Sequence, residues 1–259
     1  MERFRRSSGA LALALCLWFA LPARAVVLGQ VDDFEDGTTR GWHAGSTLNP
    51  NPPANVPDGG PTGAGDAFLQ VRSSGMFASP GGKLVAINSL QWSGDYTAAG
   101  AARISADVRN LGQHQLHLRL LIEREPQLGG QRFTTPSVLV PSGSGWVHAT
   151  WPIDAASLIP ISSPGPADPA EVLTQVGTLR IYHGVAPFYP NTETISNLGI
   201  DNLQAEDRDG DLLPDASDNC PFVANPDQDD TDTDRRGDAC ECTDQDGDGR
   251  NTVTDLIAI

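Results

Sequence analysis

Three runs of alternating aspartates near the C-terminus hold the residues with the clearest chemistry: Asp207-Arg-Asp209-Gly-Asp211, Asp230-Thr-Asp232-Thr-Asp234 and Asp244-Gln-Asp246-Gly-Asp248. Each run continues into a polar residue at loop position 9 (Asp215, Asp238, Thr252) and a carboxylate at position 12 (Asp218, Glu241, Asp255). Position 7 supplies the main-chain carbonyls of Leu213, Arg236 and Arg250. Oxygens at positions 1, 3, 5, 7, 9 and 12 are what a calcium loop places round one ion. Carboxylates this close repel one another unless a hard cation neutralises them, and calcium tolerates looser oxygen geometry than magnesium. An acidic disordered tail would need no such spacing. Three runs in one register predict calcium as the cofactor.

The elements that carry these loops are read from the rest of the chain. Arg3, Arg5 and Arg6, an apolar run over 10–21 and Ala23-Arg24-Ala25 have the order of a cleaved bacterial export signal over residues 1–25. That apolar run is too short to span a bilayer, so no membrane span is expected and the mature chain is expected to be secreted, extracellular or at a cell surface. Removing the signal leaves roughly 234 residues, enough for one sizeable core and a small appendage. Residues 201–259 hold 18 Asp and Glu against 4 Arg, a balance of −14 out of −16 for the whole chain. The acidity therefore belongs to the tail, and its sign argues against nucleic acid as a partner. The mature cysteines are Cys220, Cys240 and Cys242. Export favours disulfides, and Cys220 with Cys240 brackets the second aspartate run, leaving Cys242 free or paired with something outside this sequence.

Residues 26–206 read as mainly β. Ile104, Ala106 and Val108 alternate with polar neighbours, and so do Leu116, Leu118, Leu120 and Ile122, with Leu121 breaking the polar side. Further strands are predicted at 67–72, 83–88, 137–140, 146–152, 177–183 and 198–204, with one short helix at 169–176 capped by Asp168. Many short strands and turn-rich connections predict an antiparallel jelly-roll sandwich. After Glu206 the periodicity stops, and an irregular calcium-loop segment over 207–241 is expected to pack directly against the last strand. A partial EF-hand-like loop and helix follows over 242–259.

Residues 207–241 resemble a thrombospondin type 3 repeat through Asp207-Arg-Asp-Gly-Asp-Leu-Leu-Pro-Asp215, Asp218-Asn-Cys-Pro221, Asn225-Pro-Asp-Gln228 and Gly237-Asp-Ala-Cys240. The resemblance implies calcium in each loop and the Cys220–Cys240 pair. Leu212 and Arg235 stand at loop position 6, where glycine is usual, so both loops are expected to hold a strained positive φ and to bind less tightly. Residues 243–259 resemble the first half of a dockerin, with Gly249 at position 6 and Val253, Leu256 and Ile257 opening an amphipathic helix. A dockerin has two such units, so either the sequence is a fragment or the unit is degenerate, and a complete dockerin would imply a cohesin-like partner. The main domain is similar to bacterial relatives of the laminin type IV (laminin B) domain. That similarity rests on Asp33-Phe-Glu-Asp-Gly37, Gly41-Trp42, Gln91-Trp-Ser-Gly-Asp-Tyr96, Leu179-Arg-Ile-Tyr-His183 and Gly199-Ile-Asp-Asn-Leu203, and it implies a sandwich of carbohydrate-binding shape.

No catalytic constellation stands out. Glu123 and Glu125 face the same side of one strand, whereas glycosidase pairs flank a cleft, so solvated edge charges are expected. His114, His117, His148 and His183 lack tight metal spacing. Trp42, Trp92, Trp146, Trp151, Tyr182 and Tyr189 are the rings that could stack on sugar, although most tryptophans in a sandwich belong to the core. Asp36 and Asp201, read on the first and last strands, would be brought together if those strands were neighbours, and a structural calcium could then bridge them, although no spacing in the sequence supports it. These features predict a non-catalytic calcium-binding protein, an adhesion or matrix module for glycans or proteins. The alternative is the dockerin-tethered accessory part of a secreted polysaccharide-degrading system.

Overall fold

A computed structural model describes residues 25–76, 78–162, 168–189, 193–231 and 233–241. The signal reading up to residue 24, Asp232, Cys242 and the third aspartate run lie outside the described residues. No helix among the described residues is long and apolar enough to cross a membrane.

Two antiparallel sheets face each other. The first holds β1 (Val31–Asp32), β2 (Ala54–Val56), β3 (Phe68–Ser74), β5 (Arg103–Asn110), β9 (Val147–Pro152) and β12 (Ile195–Glu206), ordered β2-β3-β12-β5-β9. β1 lies beside the far half of β12, pairing Asp32 with Leu203. The second holds β4 (Val85–Asn88), β6 (Leu116–Arg124), β7 (Arg132–Thr134), β8 (Val138–Val140), β10 (Ile159–Ser162) and β11 (Val176–His183), ordered β10-β7-β6-β11-β4 with β8 beside β6. The predicted jelly-roll-like sandwich is the observed architecture. Its core follows from alternation: Ile104, Ala106 and Val108 meet Leu116, Leu118, Leu120 and Ile122, all fully buried.

Leu121 breaks the outer side of β6 for a visible reason. It is fully buried in a second, smaller apolar cluster with Val85, Ile161 and Tyr182 on that outer side. Two short helices fill the sandwich ends, α1 (Tyr96–Ala99) and α2 (Pro169–Leu173). Asp168 caps α2 by accepting from the Ala170 N–H, as expected, but the helix stops at Leu173 rather than 176. Val176 is claimed by β11 and exchanges main-chain bonds with Gly94.

The acidic segment docks onto the sandwich without a linker. Glu206 closes β12 and accepts from Arg103 Nε at 2.6 Å and from Ser105 Oγ at 2.6 Å. Beyond it, Leu212 lies beside Gly29 and Pro214 packs over Gly100, where a side chain would crowd the proline.

Candidate functional site

The first aspartate loop is assembled. Oxygens of Asp207, Asp209, Asp211 and Asp218 all lie within 4.8 Å of one another, the one such carboxylate group among the described residues. The loop is shaped by the oxygens that do not face the cluster. Asp207 Oδ1 accepts from Leu212 N at 3.0 Å, Asp209 Oδ1 from Asp211 N at 3.4 Å and Asp211 Oδ1 from Leu213 N at 2.9 Å. Asp218 Oδ1 accepts from Cys220 N at 2.7 Å and from Gln228 Nε2 at 2.8 Å. The opposite oxygens of Asp207, Asp209 and Asp218, with Asp215 Oδ1, are buried and have no hydrogen-bond partner. Buried acceptors are ordinarily satisfied, so four such oxygens in one loop mark a place for a positive charge. Burial, with Asp209 alongside, pushes Asp207 up to about 6. An all-oxygen, carboxylate-rich donor set fits a hard divalent cation.

Leu212 at position 6 holds φ 71° and Arg235 holds φ 82°, so both non-glycine residues adopt the left-handed turn the loop requires. The second loop uses its carboxylates locally. Asp230 accepts from Thr233 N and Arg235 N, Asp234 from Arg236 N, and Asp238 from Thr231 N and Oγ1. Those hydroxyl and amide bonds hold the Asp238 carboxyl below its ordinary value. Cys220 and Cys240 form a disulfide with Cα atoms 5.6 Å apart, closing the span that contains this loop. Asp211 Oδ2 reaches into the same span and accepts from Asn225 N at 3.0 Å.

A second acidic group sits on the outer side of the first sheet, away from the tail. Asp201 is 1% exposed; its Oδ1 accepts from Asn202 N at 2.8 Å, and its Oδ2 has no partner. A β-bulge between Asp201 and Gln204 turns Asn202 to φ 48° and lets its amide donate to Asp107 Oδ2 at 3.0 Å. Burial first, then the charges of Asp66, Asp107 and Glu35, push Asp201 up to about 7. Glu35 and Asp66 are each fixed by a main-chain donor, Ala67 N at 2.8 Å and Thr62 N at 2.6 Å. The expectation of an Asp36–Asp201 bridge is corrected here. Asp36 lies in the turn after β1, where it accepts from Thr38 and pairs with Arg40 at 3.1 Å. Its neighbour Glu35, in the same turn, is the residue whose charge reaches Asp201.

The outer side of the second sheet corrects another expectation. Glu123 is buried, not a solvated edge charge: Arg132 donates to Oε1 through Nε at 3.0 Å and Nη2 at 2.7 Å, and Arg180 Nη2 donates to Oε2. Register explains the cluster, since β6 places Glu123 against Arg132 of β7 while Arg180 is opposite the adjacent Leu121. The Arg180 guanidinium lies 5.0 Å from the Tyr189 ring centre, and Tyr189 meets Tyr182 edge-on at 5.4 Å. Of the six rings considered for stacking, Trp42, Trp92, Trp151 and Tyr182 are buried; Trp146 packs over Gly199, and Tyr189 is part-exposed.

The family model for the thrombospondin type 3 repeat matches residues 205–228 and 229–256. Its second match runs through the stretch whose spacing resembles a dockerin. No curated protein matches the chain. Among solved structures, a family 11 carbohydrate-binding module from Clostridium thermocellum, in complex with a beta-1,3-1,4-mixed-linked tetrasaccharide, aligns at TM-score 0.47 and 16% identity. The alignment covers 70% of this chain and 97% of that one. A non-crystalline cellulose specific carbohydrate-binding module aligns at TM-score 0.41 and 12% identity over 72% of this chain and 99% of its own. An exo-beta-agarase aligns at TM-score 0.46 and 14% identity over 71% of this chain, which spans 26% of the agarase. Each is similar to this chain in sandwich architecture.

Proposed function

We propose that the chain is an exported, non-catalytic calcium-binding protein whose sandwich recognises an extracellular glycan, as the accessory part of a secreted polysaccharide-degrading system. The observation that carries the calcium reading is the set of unpartnered buried oxygens on Asp207, Asp209, Asp215 and Asp218. Asp207, Asp209, Asp211 and Asp218 would hold the ion, with Asp215 and the Leu213 carbonyl completing the set. Bound calcium neutralises the loop and so removes the repulsion among its carboxylates. By the same spacing the second loop would use Asp230, Asp232, Asp234, Asp238, Glu241 and the Arg236 carbonyl. The third would use Asp244, Asp246, Asp248, Thr252, Asp255 and the Arg250 carbonyl. Asp201, whose Oδ2 is buried without a partner, with Glu35 and Asp66 nearby, supports a further cation position on the outer side of the first sheet. Attachment through residues 243–259 to a cohesin-like partner belongs to the same reading.

The non-catalytic reading is supported at Glu123, since both its oxygens are occupied by arginine donors and neither is free to face a substrate. Glycan is preferred to protein as the ligand because the second sheet's outer side offers a ring, guanidinium groups and hydroxyls. Arg132, Thr178 and Tyr189 supply donors, a hydroxyl and a ring that suit a hydroxyl-rich ligand. Calorimetry of calcium into the full chain tests the first half: Asp218→Asn should abolish one site, and an unchanged isotherm removes the claim. Affinity electrophoresis in gels containing soluble polysaccharides tests the second. Retardation by at least one is expected, and retardation by none removes the glycan reading.

A further inference from the structure

We propose that the glycan recognised by the second sheet is anionic, a polysaccharide carrying carboxylate or sulfate groups. This deepens the glycan reading above and rests on it. The strands of the second sheet contain Arg119, Arg124, Arg132 and Arg180 against one acid, Glu123. Those of the first contain Arg72, Arg103 and Arg109 against Asp32, Asp107, Asp201 and Glu206. A chain of net charge −16 thus keeps a positive surplus on one sheet.

The surplus lies on the outer side. Arg124 is compensated at the sheet end by Glu171 at 2.7 Å. The remaining three arginines share only Glu123 among the described residues. Arg119, 7% exposed, has its charge met solely by the carbonyls of Gly184, Thr135 and Val185. Arg132 and Arg180 both rest on Glu123, which leaves one guanidinium charge unmatched. Arg132 remains one-third exposed, with part-exposed Tyr189 and Thr178 on the same side. The positive field also reaches His43, which bridges to Ile87 of β4 and is held below its ordinary value by desolvation of its ring and by Arg180. A neutral glycan could use the ring and the hydroxyls but would leave this charge unanswered. An anionic one supplies the complement, and bidentate guanidinium–carboxylate or guanidinium–sulfate contact adds direction to it.

The test uses the full chain in millimolar calcium, and hexameric oligosaccharides too short to gel, with each hexamer's heat of mixing with the same calcium buffer subtracted. Calorimetry compares a galacturonate hexamer, a sulfated galactan hexamer and cellohexaose. At least one anionic hexamer should bind about tenfold tighter than cellohexaose at low salt, with the preference shrinking as salt is raised. Whichever anionic hexamer binds tighter identifies the anion. Arg132→Gln should lower that preference, while Arg72→Gln on the exposed side of the first sheet should not. The wild-type ratio and its salt dependence decide the matter even if Arg132→Gln fails to fold. Equal or tighter binding of cellohexaose overturns the charge inference and leaves glycan recognition standing. Equal loss in Arg72→Gln also overturns it, by showing general charge attraction. Binding of no hexamer overturns the glycan reading itself.

Discussion

Arg103 donates its Nε to Glu206 at 2.6 Å, joining the first residue of β5 to the last of β12, and the same guanidinium fills the space beside Gly210. A Cβ built on Gly210 would stand 1.7 Å from Arg103 Nη2, and Gly210 itself holds φ 90°. The end of the sandwich and the turn of the first aspartate loop are therefore shaped by one side chain. Ion binding in the loop and stability at the end of β12 should be coupled.

Gly210→Ala tests that junction. The substitution strains a positive φ and displaces Arg103, at about 1 kcal/mol or more. Calcium affinity of the tightest site should fall about fivefold or more by calorimetry. An unaltered affinity would show that the loop tolerates a shifted Arg103.

Calcium removal should loosen the tail while the Cys220–Cys240 bond keeps it joined. With chelator, limited proteolysis should cut within 207–241 faster than in millimolar calcium, the range over which extracellular modules bind. Cuts between the two cysteines should release no fragment until a reductant is added. Cleavage at the same rate with and without calcium would separate the tail's order from the metal.

The three loops should rank by how firmly their carboxylates are held. Asp209→Ala should remove the tightest site, because its loop shares Asp218 with the buried, disulfide-bonded Cys220. Asp246→Ala should remove the weakest, since the third loop has uncharged Thr252 at position 9 where the other two have aspartate. Calcium titrations of these variants and Asp232→Ala give the order. A tightest site in the third loop would mean that glycine at position 6 outweighs anchoring.

Asp201→Asn should change sign with calcium. In chelator it relieves repulsion among buried carboxylates and should raise the melting temperature by about 2–4 °C. In millimolar calcium the same variant should melt below wild type, having lost a ligand. Scanning calorimetry under both conditions decides, and a variant less stable in both would make Asp201 a purely structural acceptor.

His183 predicts an acid-side loss of stability. Burial, and then His117 beside it, hold its proton affinity below the ordinary value of 6.5. The unfolded chain therefore takes up the proton more readily, and stability falls as pH drops through 6.5. His183→Gln keeps an acceptor for the His117 N–H and should melt with a flatter dependence between about pH 7 and 5. An unchanged slope would assign the dependence to the tail carboxylates.

Local spacing made the first aspartate cluster, the disulfide and the strand faces legible in the sequence. A calcium loop gathers its ligands within twelve consecutive residues, so Asp207, Asp209, Asp211 and Asp218 announce one another. Alternation in Leu116, Leu118, Leu120 and Ile122 likewise reports which side of β6 is buried. It says nothing of which strand lies alongside. That is why Glu123 reads as an edge charge until β7 brings Arg132 and β11 brings Arg180, and why Leu121 reads as a fault in the pattern. The Asp201 group needed still more: Glu35, Asp66, Asp107 and Asp201 come from four separate stretches of chain. They converge because β12 pairs with β3 and β5 and bulges at Asn202. Strand partners are fixed by burial and register across the whole sandwich, and only the tertiary structure settles both together.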